Sequence, residues 1–524
     1  MPIKFIALFA SFLIAAHAHS LTLTAAKAMA NGEGEARIAA LHAATQDADE
    51  KTLAFIQAMA DDAVKLVAGV PVIVKADGAM DPVTGAAVPL PDTAEDVLNN
   101  NRMRGEIEAA LASLKLMSPV EAVRRDAVKT LQGEVDEGRL AMIERAFAQE
   151  TVVDIRESLG LLRAAALLGS SDAAKRLEAV RALTESSQAV TKTLLLERIG
   201  TETDPAVKGA LQVALQKVEA RLAWGDRLGA IFSGVSLGSI LLLVALGLAI
   251  TYGLMGVINM AHGELMMIGA YATYVVQGLF QRYAPGWIDW YLPVALPMAF
   301  MASALVGAAL ERGVIRFLYG RPLETLLATW GISLMLMQGV RTLFGAQNVG
   351  VENPSWMSGG FQVMGNLSLP YNRLIIVVFA FAVLISVWFM IEKTRLGLFV
   401  RGVTQNRPIA ACMGVNTARI DTLAFALGSG IAGLAGCALS QIGNVGPDLG
   451  QSYIVDAFMV VVLGGVGQLA GTVYAGLGLG VLNKLLEGWT GAVLAKIAVL
   501  VFIIIFIQKR PQGIFAMKGR SAEA

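Results

Sequence analysis

Three residues with chemistry to offer, Asn259, His262 and Glu264, stand within six positions of one another in the string GVINMAHGELMMIGAY. An amide, an imidazole and a carboxyl could together hold a polar solute or pass it along by hydrogen bonds. Their setting favours that reading. The string LGSILLLVALGLAITYGLMGVIN, Leu237 to Asn259, carries no charge, and apolar sequence resumes after Glu264. A run of about 20 apolar residues crosses the hydrocarbon core of a bilayer. Polar side chains inside such a run are costly and mark function by default. The competing reading is a buried polar knot that pins helix packing, since a hydrogen bond within a membrane is worth only about 0.6 kcal/mol net. Gly253, Gly256, Gly263 and Gly269 bracket the group and permit a broken or re-entrant helix. Such backbone is tolerated only beside protein or a water-filled cavity. His262 is expected to hydrogen-bond Glu264 across the broken turn.

A second set of candidates is more scattered. Gln441 and Asn444 lie in QIGNVGP, and Gln468 lies in LGGVGQLAG. Small residues cluster in GSGIAGLAG (428–436), LGGVGQLAG (463–471) and AGLGLGVLNK (475–484). Small residues at such spacing let helices approach closely; the alternative is broken segments lining a pathway. LGGVGQ is no nucleotide loop, because no strand pattern precedes it and no Lys-Ser/Thr follows. Lys484 and Glu487 could pair at i, i+3, but snorkelling to an interface is the preferred reading for them as for Arg341, and it extends to Lys496. No Walker A, Ser-His-Asp or paired-carboxylate arrangement occurs, so no catalytic residue, cofactor or enzyme activity is expected. Three of the four histidines (His17, His19, His42) crowd near the N-terminus, and no spacing makes a metal site. The two cysteines, Cys412 and Cys437, build no disulfide framework.

The chain that must position these groups has two unlike parts. Overall it is 55% hydrophobic and 16% charged, with 42 basic and 42 acidic residues. The charges crowd into the first 228 residues. Residues 1–18 read as a secretory signal: Lys4, an apolar stretch Phe5–Ala16, and the cleavage pattern Ala16-His17-Ala18. Residues 19–223 are expected to be a soluble, periplasmic helical domain. They hold 30 acidic and 23 basic residues, which disfavours nucleic acid and anionic lipid as partners. Three segments, 118–133, 171–186 and 203–222, each open on an N-cap and continue as an amphipathic helix, in the manner of a HEAT-type repeat. Residues 70–90, with β-branched residues either side of a turn, are expected to form a β-hairpin or ordered loop.

From residue 224 to 515 the expectation is an all-α polytopic membrane domain of about nine spans, near 230–252, 255–280, 292–311, 324–344, 371–391, 421–442, 453–468, 470–487 and 490–508. Residues 516–524 would be a cytoplasmic tail. Basic residues fall in the loops 312–323 and 392–420 and in the tail, and basic loops mark the cytoplasmic side. Nine crossings, N-terminus out and C-terminus in, satisfy all of them. Trp287, Trp290 and Tyr291 then fall at the outer interface as aromatic anchors.

At this point three long strings, GLAITYGLMGVINMAHGELMMIGAY, RGVTQNRPIAACMGVNTARID and AFMVVVLGGVGQLAGTVYAGLGLGVL, resemble the permeases of branched-chain amino-acid ABC importers. The extended N-terminus resembles the permease subunit of the urea ABC transporter. The resemblance implies a bacterial inner-membrane importer for urea, or alternatively for a branched-chain amino acid or other small amide. It implies a second permease subunit, two cytoplasmic ATPase subunits and a periplasmic substrate-binding protein as partners. It also implies that the 392–420 loop docks on an ATPase, through Arg401, Arg407, Gly414, Asn416 and Arg419. A small neutral solute would suit Asn259, Gln441 and Asn444. Glu264 and His262 could meet the charges of an amino acid. A receptor-like anchor and a facilitated channel are the other classes. Nine spans are excessive for an anchor, and no signalling domain follows them.

Overall fold

The computed structural model describes residues 21–46, 48–75, 78–91, 93–132 and 137–515. The expected signal segment, 1–18, and the tail, 516–524, lie outside the described residues. The chain divides into two compact units, Met1–Leu222 and Ala223–Ala524.

The first unit opens with α1 (Leu23–Ala30), α2 (Gly34–Gln46) and α3 (Glu50–Ala60). Thr22 caps α1 and Asp49 caps α3 through their side chains. The chain then leaves the helical pattern over a longer stretch than the expected hairpin. Five strands, β1 (Val64–Val67), β2 (Val70–Lys75), β3 (Gly78–Met80), β4 (Ala87–Val88) and β5 (Glu95–Asp96), form an antiparallel sheet in the order β4-β3-β2-β1-β5. The hairpin expected over 70–90 is thus one part of a larger sheet. Its nucleus lies just upstream, where Ala68 and Gly69 both take positive φ and Val67 pairs with Val70, a two-residue turn that matches strand twist. Phe55, Ile56, Met103 and Ile107 bury the inner face.

The rest of this unit is helical: α4 (Asn101–Lys115), α5 (Glu121–Leu131), α6 (Leu140–Gln149), α7 (Val153–Leu168), α8 (Ala173–Thr184), α9 (Ala189–Thr201) and the start of α10 (Pro205–Met255). A clamp recurs within it. Arg124 pairs with Glu150 at 2.7 Å and donates to the Ser118 carbonyl at 3.0 Å, while Glu150 accepts the Thr151 and Val152 amides, both at 2.9 Å. Arg176 pairs with Glu202 at 3.0 Å and donates to the Ser170 carbonyl at 3.0 Å, while Glu202 accepts the Thr203 and Asp204 amides, both at 3.1 Å. Every member of the second clamp stands 52 residues after its counterpart in the first. Segments 118–133 and 171–186 are therefore equivalent, but 203–222 repeats 151–170 and is not a third copy of the same element.

Both carboxylates are almost wholly buried. The Arg124 hydrogen bond holds Glu150 below the usual range. At Glu202 burial pushes the other way but is outweighed by the Asp204 amide and Arg176. A depressed carboxyl contributes stability above its unfolded value, near 4.3, and loses it as the pH falls through the lower folded value. Removing one partner of a buried pair costs about 3–5 kcal/mol. Glu202→Ala is accordingly expected to make this unit sensitive to trypsin at neutral pH, where the unaltered chain resists it. Equal resistance of the two at pH 7 would count against the clamp.

In the second unit the helices are the rest of α10, then α11 (His262–Tyr283), α12 (Tyr291–Gly313), α13 (Pro322–Phe344), α14 (Tyr371–Lys393), α15 (Arg395–Gln405), α16 (Arg407–Cys412), α17 (Thr417–Ser440), α18 (Leu449–Gly464), α19 (Leu469–Thr490) and α20 (Ala492–Lys509). A short hairpin, β6 (Gly360–Met364) and β7 (Leu367–Pro370), fills the loop before α14. Each of the nine expected spans corresponds to a helix, but among the described residues only seven helices are long and apolar enough to cross a membrane. The two that fall short are α11, whose first turn holds His262 and Glu264, and α18, which has 16 residues. At 1.5 Å per residue, 16 residues reach about 24 Å, less than the roughly 30 Å hydrocarbon core.

These two helices belong to the middle of the bundle. The unit's main core draws Ile240 and Val244 from α10, Leu265 and Met266 from α11, Phe425 and Ala432 from α17, and Val460 from α18. The seven candidate spans mostly turn exposed apolar faces outward, as with Leu327 and Met335 of α13 and Val378 and Ile385 of α14. That is the pattern of a helix bundle solvated by lipid.

Candidate substrate pathway and coupling face

Helix α10 stops at Met255 because Gly256 takes φ +65 and closes the last turn with its amide on the Tyr252 carbonyl at 2.9 Å. The non-helical segment 256–261 then turns back into the bundle. Asn259 holds it by accepting the Ala261 amide at 3.0 Å, and Thr329 of α13 accepts the Met260 amide at 3.2 Å. The expected span 255–280 is therefore a loop followed by a helix that starts at His262.

The start of α11 meets the start of α18. Gly263 and Gly450 lie backbone to backbone, so that a Cβ on either would strike the other's carbonyl group. Two helix N-termini thus converge, each carrying the partial positive charge of its unpaired amides. Neither cap residue, Ala261 or Asp448, supplies a side-chain cap.

Around that junction Asn259, His262 and Glu264 are at most 2% exposed. His262 and Glu264 do not bond each other, contrary to expectation. Residues two apart in a helix face different ways. The His262 Nε2 lies 3.1 Å from the Val244 carbonyl of α10, while Glu264 Oε1 accepts the Ser333 hydroxyl of α13 at 2.9 Å. Each of the three keeps a buried polar atom with no partner in the protein: Asn259 Nδ2, His262 Nδ1 and Glu264 Oε2. The hydroxyl of Tyr271, two turns along α11, is a fourth. Asp448, exposed at the head of α18, is near enough to act electrostatically on Glu264 and Tyr271. The junction thus sets an exposed carboxylate within electrostatic reach of a buried carboxyl and a phenol. Unpaired buried polar groups are costly unless something pairs with them.

The other candidates fall elsewhere. Gln441 is buried beyond α17, where it accepts the Tyr291 hydroxyl at 3.0 Å. The Glu352 carbonyl, 2.8 Å from the same hydroxyl, is a second acceptor that shares its one proton. Tyr291 is 1% exposed and so no interfacial anchor, unlike Trp287 and Trp290. Asn444 is exposed beside Gly350, where residues 349 and 445 pair as an isolated bridge. Gln468 sits in the turn between α18 and α19. Lys484 and Glu487 do pair, at 2.7 Å. Lys496 has a carboxylate partner, Asp456 at 3.6 Å, where snorkelling alone was expected.

On the basic loops, Arg401 pairs with Glu392 at 2.8 Å. Gly414 turns the chain at φ +83, and Asn416 caps α17 by accepting the Arg419 amide at 3.0 Å. Arg407 belongs to a network that the sequence reading missed. It pairs with Asp421 and lies over the Tyr319 ring at 4.9 Å. Tyr319 donates to Glu311 Oε1 at 3.1 Å, Thr422 donates to Glu311 Oε2 at 2.6 Å, and Arg316 approaches the same oxygen at 3.7 Å. Glu311, at the end of α12, is fully buried. The loops 312–323 and 392–420 are thereby tied to each other and to α12 and α17. The signal available in sequence was the pair of acids, Glu311 and Asp421, at the margins of apolar runs beside basic loops.

Residues 230–508 match the family described as the branched-chain amino acid transport system / permease component. The chain is similar to the high-affinity branched-chain amino acid transport system permease protein LivH of Salmonella typhimurium, at 28% identity over 294 residues, covering 54% of this chain and 93% of that one. It is also similar to the corresponding BraD of Pseudomonas aeruginosa, at 28% over 292 residues with the same coverage. The ribose import permease protein RbsC of Escherichia coli shares 28% over 201 residues, covering 36% of this chain and 60% of its own. No solved structure matches. These relatives are transport components and not enzymes. A lipid-facing bundle, a broken polar junction at its centre and a match over more than half the chain agree: this protein belongs to the branched-chain amino acid transport system permease family.

Proposed function

We propose that this chain is the permease subunit of an ABC importer for a branched-chain amino acid, driven by two separate ATPase subunits, paired with a second permease and fed by a periplasmic binding protein. The observation that carries the reading is the junction of α11 and α18, where Glu264 and its neighbours keep unpaired buried polar atoms. Such atoms suit a solute that brings donors and acceptors of its own. Asn259, His262 and Glu264 line or gate the pathway, with Gln441 and Asn444 at one end and Gln468 at the other. The names of the relatives support an amino acid as substrate over urea. Residues 1–18 act as an export signal, residues 19–223 lie in the periplasm, and the tail is cytoplasmic. The repeated helices of the first unit offer an extended surface of the HEAT type for a partner. Uptake of labelled leucine and of labelled urea, in a strain lacking this chain and again after its return, tests the substrate. Restored leucine uptake supports the reading; restored urea uptake without leucine overturns it.

The basic loops supply the drive. We infer that α15, α16 and the turn through Gly414 to Arg419 dock on an ATPase. The Glu311 network then passes displacement to α12 and α17, which pack on α11. Asp421→Asn together with Tyr319→Phe removes the charge pair and one hydrogen bond while keeping the volumes. In reconstituted vesicles the double variant is expected to hydrolyse several-fold more ATP per solute moved, with the ATPase still bound. Unchanged stoichiometry would sink this role.

A further inference from the structure

A cavity of about 510 Å3 opens where α15 crosses the ends of α10, α14 and α17. Its size lies within the range of small-molecule sites, about 300–1,000 Å3. Ile250, Trp388, Leu396 and Leu427 make its wall apolar. One ion pair lines it: Glu392 from the end of α14 and Arg401 from α15, 2.8 Å apart, both about half exposed. Gln468, at the start of α19, closes another side.

We propose that this cavity is a second ligand site, selective for a zwitterionic aliphatic amino acid. The assignment rests on the substrate class proposed above and locates where on this chain that class is recognised. The chemistry fits in three places at once. A guanidinium forks two N–H groups onto a carboxylate. A carboxylate takes an ammonium. The two protein charges currently neutralise each other, so an incoming zwitterion exchanges partners and leaves no charge unmatched. The amino acid's branched chain then lies on the apolar wall and leaves water, which supplies the net gain. Urea has neither charge nor an apolar part. A simple surface ion pair would need no such cavity beside it. Arg401 accordingly serves ligand recognition, and docking on an ATPase falls to the rest of α15, to α16 and to the turn through Gly414 to Arg419. The site shares Gln468 with the turn between α18 and α19, so an amino acid held there touches the bundle on the side of the basic loops.

The test is binding of radiolabelled leucine to the purified full-length permease in nanodiscs, without substrate-binding protein. Saturable binding at or below about 10 mM is expected, corresponding to a weak site. Isovalerate, which lacks the ammonium, and isoamylamine, which lacks the carboxylate, should each compete at least tenfold more weakly, and urea should not compete. Arg401→Gln and Glu392→Gln should each weaken leucine at least tenfold. Arg401→Gln should do so without changing isoamylamine, and Glu392→Gln without changing isovalerate. Both positions are half exposed, so the fold should survive; a melting curve equal to that of the unaltered chain checks it. Leucine binding that is absent, or unaltered by both substitutions, overturns the site. Leucine uptake in cells reports separately on the substrate class: uptake without this binding removes the second site alone, and loss of uptake with urea transported removes the class as well.

Discussion

Gly436→Val is expected to leave almost no folded permease in the membrane. The Cα of Gly436 on α17 faces α11 so closely that even a methyl group would collide with the Met266 carbonyl oxygen and crowd the Ala270 amide. Both obstacles are backbone, so no rotamer change relieves them. The only relief is to part α11 from α17, yet Gly269 packs equally closely on Gly433 one turn away. Overpacking costs typically 1–3 kcal/mol, and more where backbone must move; domains hold only about 5–15 kcal/mol in reserve. The check is the monodisperse fraction on size exclusion in detergent after equal expression. Gly478→Val, with no heavy atom within 4 Å of its would-be Cβ, is the matched control and should be tolerated. Equal yields from the two would show that this helix pair is looser than its contacts imply.

Glu264→Ala is expected to cut solute uptake tenfold or more while the yield of folded permease stays near normal. The two quantities separate because the energies differ. Deleting the Ser333 to Glu264 hydrogen bond costs the bundle about 0.6 kcal/mol. A tenfold fall in rate needs only about 1.4 kcal/mol lost from the transition state. Ser333→Ala removes the same hydrogen bond but leaves the carboxylate, so it should transport almost normally. His262→Gln keeps an amide within reach of the Val244 carbonyl and should retain part of the activity. If Glu264→Ala transports normally at normal yield, the junction is a packing knot, and the pathway must be sought around Gln441, Asn444 and Gln468.

Apolar runs and basic loops made the nine helices that match the expected spans legible, because bilayer length and charge asymmetry act through composition alone. The break before α11 was also legible, since Asn259, His262 and Glu264 are too costly for an ordinary span and Gly256 permits the turn. The meeting of Gly263 with Gly450 was not, because a contact between residues 187 positions apart leaves no local trace. Tyr291 misled for a related reason: Trp287 and Trp290 are exposed, but burial of Tyr291 is decided by Gln441, far along the chain. The Glu311 network was overlooked because attention to basic residues alone ignores the acids that hold them. In the first unit, β1 is too short and β5 too short and too polar to announce themselves; pairing of β1 with β2, and of β5 with β1, is what makes them strands.

The 52-residue clamp carries an evolutionary consequence. Because each Arg and Glu is satisfied within its own module, a whole module is a unit of inheritance that can be gained or lost without orphaning a buried charge. A deletion that removes one member of a clamp and keeps the other would strand a buried charge. The reach of this extension should therefore vary among descendants in steps of one module, and deletion of residues 119–170, which joins Ser118 to Ser171, offers the shortest viable ancestor to build.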